Sequence, residues 1–213
     1  MDFSHWLSLC TLCLLGAISP GPSLAVVVNT TLHSGSRSGY ASALAHGVGV
    51  ALYGLITVAG LALLITRSPA VFATLQILGA SYLLYLGIVS LRATDHRIDR
   101  QTPYSATRLS VHSAAWQGFL IAFFNPKLAI FMLALFSQFL SPDSNNTQKA
   151  LMVATVGTTD GLWYCLIASV VSRSTVRAHL EANALLISQV FGILLILVAC
   201  GVLWQVLIQL LAN

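Results

Sequence analysis

Ser19-Pro20-Gly21-Pro22 interrupts the first long apolar run of the chain, which reads Trp6 to Ile18 before it and Leu24 to Val28 after it. Each proline removes a backbone N–H, and its ring collides with the carbonyl four residues back, here those of Gly16 and Ile18. The stretch must therefore break a helix. In lipid, such a break is tolerated only where it faces protein or a water-lined cavity. Asn125-Pro126-Lys127 repeats the device inside a later apolar run. One proline alone reads as a packing kink. Two interrupted spans at matching places in the two halves of a chain point to a transporter's substrate site.

The composition agrees with a membrane setting. Of 213 residues, 57% are hydrophobic and 8% charged, against about 25% charged in soluble domains. That deficit excludes a separate soluble domain. The net charge of +4 comes from arginines scattered through short loops, which is not a nucleic-acid pattern. The N-terminus lacks the basic stretch that opens a signal peptide, so the first apolar run is read as a retained span. Cys10, Cys13, Cys165 and Cys200 all fall within apolar runs. Cys10 and Cys13 have the CxxC spacing used in redox and zinc sites. With no second pair and no metal-binding neighbours, buried small residues are the simpler reading. No metal or cofactor is expected.

A helix needs about 20 apolar residues to cross the hydrocarbon core. Six runs qualify: Trp6–Val28, Tyr40–Ile65, Ala70–Leu91, Ala115–Leu140, Ala150–Val171 and Leu185–Leu211. The odd-numbered loops carry Arg37, Arg92, Arg97, Arg100, Arg108, Arg173 and Arg177; the even-numbered loops carry Arg67 and Lys149. The positive-inside rule places the richer set in the cytoplasm and both termini outside.

The halves also echo one another. Pro20 pairs with Pro126, Leu52-Tyr53 with Leu162-Trp163, and Gln76-x-x-Gly79 with Gln189-x-x-Gly192. An odd number of spans per repeat forces the second copy upside down relative to the first, the inverted-repeat plan of many secondary transporters. The expected fold is therefore an all-α integral membrane protein. Its six transmembrane helices form two inverted three-helix repeats, with breaks at Pro20-Gly21-Pro22 and Asn125-Pro126. The chain is one transporter domain, 1–213, with repeat one at 1–91, a cytoplasmic loop at 92–113 and repeat two at 114–213.

Lys127 and Asp160 are the foremost candidate residues. A charge at mid-bilayer costs at least about 2.5 kcal/mol and usually marks an ion or substrate path. At 1.5 Å per residue, Lys127 lies about 18 Å into span four and Asp160 about 15 Å into span five. The two can meet near the midplane, either as a fixed ion pair or as a pair opened by a proton or a substrate ammonium. His46 lies about 9 Å into span two, near the cytoplasmic face. A snorkelling or packing role is its default, and a gate or relay the alternative. Tyr53 and Trp163 are secondary candidates, Trp163 being too deep for an interfacial anchor. Freed carbonyls at a helix break attract ammonium groups, and half-helix N-termini attract carboxylates. Ser19, Pro20, Gly21, Pro22, Asn125 and Pro126 therefore suit a small polar or zwitterionic solute.

Several stretches carry a family resemblance. They are Ser19-Pro20-Gly21-Pro22, the turn at Gly39, Gly79-Ala80-Ser81-Tyr82-Leu83-Leu84-Tyr85-Leu86-Gly87, and Asn125-Pro126-Lys127 followed by Ser137-Gln138-Phe139-Leu140. Together they resemble the LysE/RhtB family of bacterial amino-acid exporters, over nearly the whole chain. The resemblance implies inner-membrane location and efflux of amino acids or their derivatives driven by the proton motive force. Asp160 falls where family members carry an acidic residue in the fifth span. Many members also carry an aspartate in the second span, where this chain has Val50.

The expected function is secondary active export of amino acids or related small metabolites, by proton antiport and not by enzyme chemistry. The partners are the solute, protons and the lipid bilayer, with a homo-oligomer left open. Two rivals stand beside it: a membrane thiol–disulfide carrier using Cys10 and Cys13, and a non-transporting membrane subunit.

Overall fold

A computed structural model describes residues 2–19, 21–92, 108–171 and 183–211. Pro20 of the first break, Arg97, Arg100, Arg173 and Arg177, and most of the 92–113 loop lie outside the described residues. Within them all regular structure is helical: α1 (Phe3–Ile18), α2 (Pro22–Ser34), α3 (Ser36–Arg67), α4 (Pro69–Leu91), α5 (Val111–Phe123), α6 (Pro126–Phe139), α7 (Asn146–Val171) and α8 (Ala184–Leu211).

The helix pair α1–α2 bends by 61° and the pair α5–α6 by 56°. α3, α4 and α7 are each long and apolar enough to cross a membrane, and counting each bent pair as one span gives up to five. α8 adds 28 residues without a charged side chain. Each half thus has one bent pair followed by two long helices.

Helix ends depart from the apolar runs, because hydrophobicity marks the lipid-facing middle and not the caps. α3 starts at Ser36, four residues before its run, and α7 at Asn146. Gly39, expected in a turn, lies inside α3; the turn is Gly35 alone, whose φ of 87° lies in the left-handed region that glycine enters without strain. Ser110 caps α5 by accepting the Ser113 N–H at 3.1 Å, so the 92–113 loop ends three residues early. Asp2 caps α1 in the same way, accepting the His5 N–H at 2.8 Å. That backbone bond holds its carboxyl below the ordinary value.

α3 packs along α7 and α5, and α4 packs along α8. The α3–α7 crossing is built from glycine. A Cβ on Gly47 would stand 2.9 Å from the carbonyl oxygen of Gly157 and from the Cα of Gly161. A Cβ on Gly157 would meet Ala51 and, at 3.2 Å, the Gly47 carbonyl. Small residues let backbones approach where lipid supplies no hydrophobic drive to associate. Gly47 and Gly157 also share the register that relates Leu52 to Leu162, so equivalent positions of the two halves meet. On the other side of α3, Gly118 of α5 packs onto the Ser42 carbonyl with no room for a side chain.

The core joins Leu9 and Cys13 of α1, Val50 and Val58 of α3, Phe131, Met132 and Phe136 of α6, and Met152 and Val156 of α7. The opposite face of α3 presents Leu44, Val48, Leu55 and Ile56 outward. A large exposed apolar surface on a chain with these spans is a lipid-facing one.

Candidate functional site

The two breaks meet. α1 ends at Ser19, whose N–H reaches the Leu15 carbonyl at 3.1 Å. Gly21 then runs extended, with φ 177° and ψ −176°, and α2 begins at Pro22 with no side-chain cap. In the second break Asn125 caps α6: its Oδ1 accepts the N–H of Lys127 at 3.0 Å and of Leu128 at 3.4 Å. Pro126 takes the first helical position, where a missing N–H costs nothing. The carbonyl of Ala122, four residues before Pro126 and so without its helical partner, accepts the Asn125 N–H at 3.4 Å.

Two side chains stitch the breaks together. Asn125 Nδ2 donates to Ser23 Oγ at 3.3 Å, and Lys127 Nζ donates to Ser19 Oγ at 2.9 Å. Between them lies a cavity of about 50 Å³, room for one or two water molecules. Its polar wall is Ser19, Gly21, Ser23, Asn125 and Lys127; its apolar wall includes Ala17, Phe131, Met132 and Val156. Small-molecule pockets run from roughly 300 Å³, so the helices must part to admit a metabolite.

The far wall carries a buried acid–base pair. His46 Nδ1 and Asp160 Oδ2 lie 2.6 Å apart, with side-chain exposures of 1% and 8%. Tyr164, one turn beyond Asp160, packs edge-on to the His46 ring with centroids 4.7 Å apart. Among the described residues, His46 Nε2 is buried without a hydrogen-bond partner. The cavity therefore has a cationic end at Lys127 and an acid–base end at His46–Asp160, with the positive N-terminal end of α2 beside the lysine.

Residues 14–206 match the family described as LysE type translocator. The chain belongs to the LysE family. It is 27% identical to the uncharacterized membrane protein YahN of Escherichia coli (strain K12) over 88% of this chain and 83% of that one. It is 28% identical to the leucine efflux protein of Klebsiella pneumoniae over 77% and 76% of the two chains. The leucine efflux protein of Salmonella choleraesuis is also 28% identical, over 78% and 79%. No solved structure matches. Membership makes the chain a membrane translocator, in a family of transporters and not of enzymes.

Ser19, Gly21, Pro22, Asn125, Lys127, Asp160 and His46 of this LysE family member all line one cavity. Three expectations change. Lys127 and Asp160 share the cavity, but Asp160 is bonded to His46 and Lys127 to Ser19. His46 does not snorkel: its side chain is 1% exposed and its ring is turned to Asp160. Tyr53 and Trp163 lie outside the cavity lining. Tyr53 packs on Phe123 at 5.9 Å, and Trp163 packs against the cluster of Val27, Ala43 and Ala168. Cys13 lines the cavity, Cys10 is half-buried and Cys200 is exposed.

Ser23 and Tyr164 were not legible as site residues. Both had a local signal. Ser23 is in the first turn after a helix break, and Tyr164 is four residues from Asp160, on the same helix face.

Proposed function

We propose that this LysE family chain is a secondary active exporter of amino acids or related small metabolites in the bacterial inner membrane, working by proton antiport. The observation that carries the reading is the cavity where both helix breaks meet, with Lys127 at one end and His46–Asp160 at the other. An α-amino acid has two opposite charges on one carbon. Its carboxylate suits Lys127, the Ser19 and Ser23 hydroxyls and the uncapped start of α2. Its ammonium suits the His46–Asp160 end. The wall of Phe131, Met132 and Val156 suits an aliphatic side chain, in keeping with relatives named for leucine efflux. Residues 1–91 and 114–213 act as inverted repeats around this site, joined by a cytoplasmic loop at 92–113, with both termini outside.

The test is reconstitution. The purified chain in liposomes should exchange labelled leucine, or another neutral aliphatic amino acid, across the bilayer. A chain with all four cysteines replaced by serine should do the same, which sets aside a thiol–disulfide carrier. Failure of the purified chain to move any amino acid would overturn the reading in favour of a non-transporting subunit. Reporter fusions in the 92–113 loop and at Asn213 check the topology, the loop being expected inside and the C-terminus outside.

A further inference from the structure

One ring nitrogen of His46 is occupied and the other is not. Nδ1 lies 2.6 Å from Asp160 Oδ2. An ionised carboxylate only accepts hydrogen bonds, so Nδ1 carries the hydrogen and Nε2 presents a lone pair. That lone pair is buried with no partner among the described residues, on a side chain that lines the cavity. The ring is held by the Tyr164 edge contact and sits next to the glycine crossing of α3 and α7. Buried polar atoms are nearly always satisfied, and an exception asks for a ligand or a function.

We infer that His46 Nε2 is the point at which a proton and the substrate's ammonium group displace one another, with Asp160 as the fixed counter-charge. This rests on the export reading above and assigns its coupling site. Without a bound proton the pair carries one negative charge. An ammonium group can then donate an N–H to Nε2 and be neutralised by Asp160. When a proton adds to the Nε2 lone pair, the ring becomes an imidazolium, the pair is neutral, and no acceptor is left for the ammonium. One proton enters as one ammonium leaves, and the charge at the site is conserved. The other ionisable groups at the cavity are Cys13 from α1, Lys127 from α6 and Tyr164 from α7; among the described residues α2 and α5 bring none to it. Lys127 bears the same sign as the incoming ammonium, so it belongs to the carboxylate end. Val50 stands one turn beyond His46 on α3, which makes the histidine this chain's contribution from that helix.

The sharpest variant is His46→Asn. Its amide nitrogen falls near the place of Nδ1 and keeps the bond to Asp160, while Nε2 is deleted. The purified variant and the native chain are compared in liposomes with leucine as the probe. At equal pH on both sides, counterflow in the variant should need more leucine, since the ammonium has lost its acceptor at Nε2, and should persist at saturating leucine, since Asp160 still supplies the counter-charge. With an imposed pH gradient, the native chain should accumulate leucine uphill and the variant should not. Uphill accumulation by His46→Asn at the native level would overturn the assignment. His46→Gln, which keeps an unprotonatable amide near Nε2, should lose coupling in the same way and serves if the first variant does not insert.

A native chain with no leucine counterflow would count against the export reading itself. The proton site is then read without substrate. His5, His33, His96, His112 and His179 are replaced by glutamine, leaving ring-labelled His46 as the sole histidine. An acid step followed by infrared difference spectroscopy should produce imidazolium bands from that ring, and their absence would overturn the proposal.

Discussion

The two helix breaks both rest on proline and begin their second helices differently. After the first break, α2 opens on Gly21-Pro22 with no side-chain cap. After the second, α6 opens on Asn125-Pro126, and the asparagine satisfies two of its first amides. An uncapped helix start is a ready anion site, whereas a capped one has already used its donors on its own chain. The second break therefore serves as scaffold and sends Lys127 across to the first. On the proposed reading, the first break keeps its backbone donors for the substrate's carboxylate. In that reading, similar sequence devices divide the work between holding and binding.

The largest effect expected from this contrast is at Lys127. Lys127→Met removes the cation that the second break lends to the first. A charge-assisted hydrogen bond contributes about 1.5–3 kcal/mol, so the KM for a neutral amino acid should rise roughly ten- to hundredfold. Melting of the purified protein should change little, since a desolvated charge is lost with its bond. An unchanged KM would remove the first break as the carboxylate end.

A smaller effect is expected at the cap. Asn125→Ala leaves the start of α6 without a side-chain acceptor and cuts the bond to Ser23. Loss of an N-cap costs about 0.5–2 kcal/mol. For a chain of this size that lowers Tm by about 2–4 °C per kcal/mol, measurable by thermal unfolding in detergent. A Tm equal to the native value would mean that the second break needs no cap.

The smallest change in stability belongs to Gly21. Its backbone is extended, a conformation open to any residue, and a Cβ there would stand 3.8 Å from Lys127 Nζ, an ordinary contact. Gly21→Asn would give α2 the cap that α6 already has, and stability should rise by only a few tenths of a kcal/mol. Transport should nonetheless fall, because the new side chain takes the donors meant for the ligand. A variant that is both more stable and fully active would erase the distinction between the breaks. Opposite signs in stability and transport at this one position would sharpen it.

Much of the molecule was legible before the structure. Apolar runs mark membrane helices because no unpaired backbone group survives in lipid, and prolines mark the breaks because they cannot make the helical bond. Lys127 and Asp160 stood out because an ionisable group within a span is costly to insert. α3 and α7 start four residues before their apolar runs, since the polar first turns lie outside any hydrophobic window. Counting from a run start also places His46 close to a helix end, and no such count shows that its ring is buried against Asp160.

Sequence by itself determined the class, the spans, the two breaks and the ionisable residues within them, because each follows from the chemistry of a residue and its near neighbours in a bilayer. Only the tertiary structure decided who pairs with whom. His46 and Asp160 are 114 residues apart and meet at 2.6 Å, and Lys127 and Ser19 are 108 apart and meet at 2.9 Å. Those distances depend on how closely α3 and α7 approach at Gly47 and Gly157 and on the angles of the two bends. Side-chain packing between distant helices sets both, and no local rule along the chain contains them.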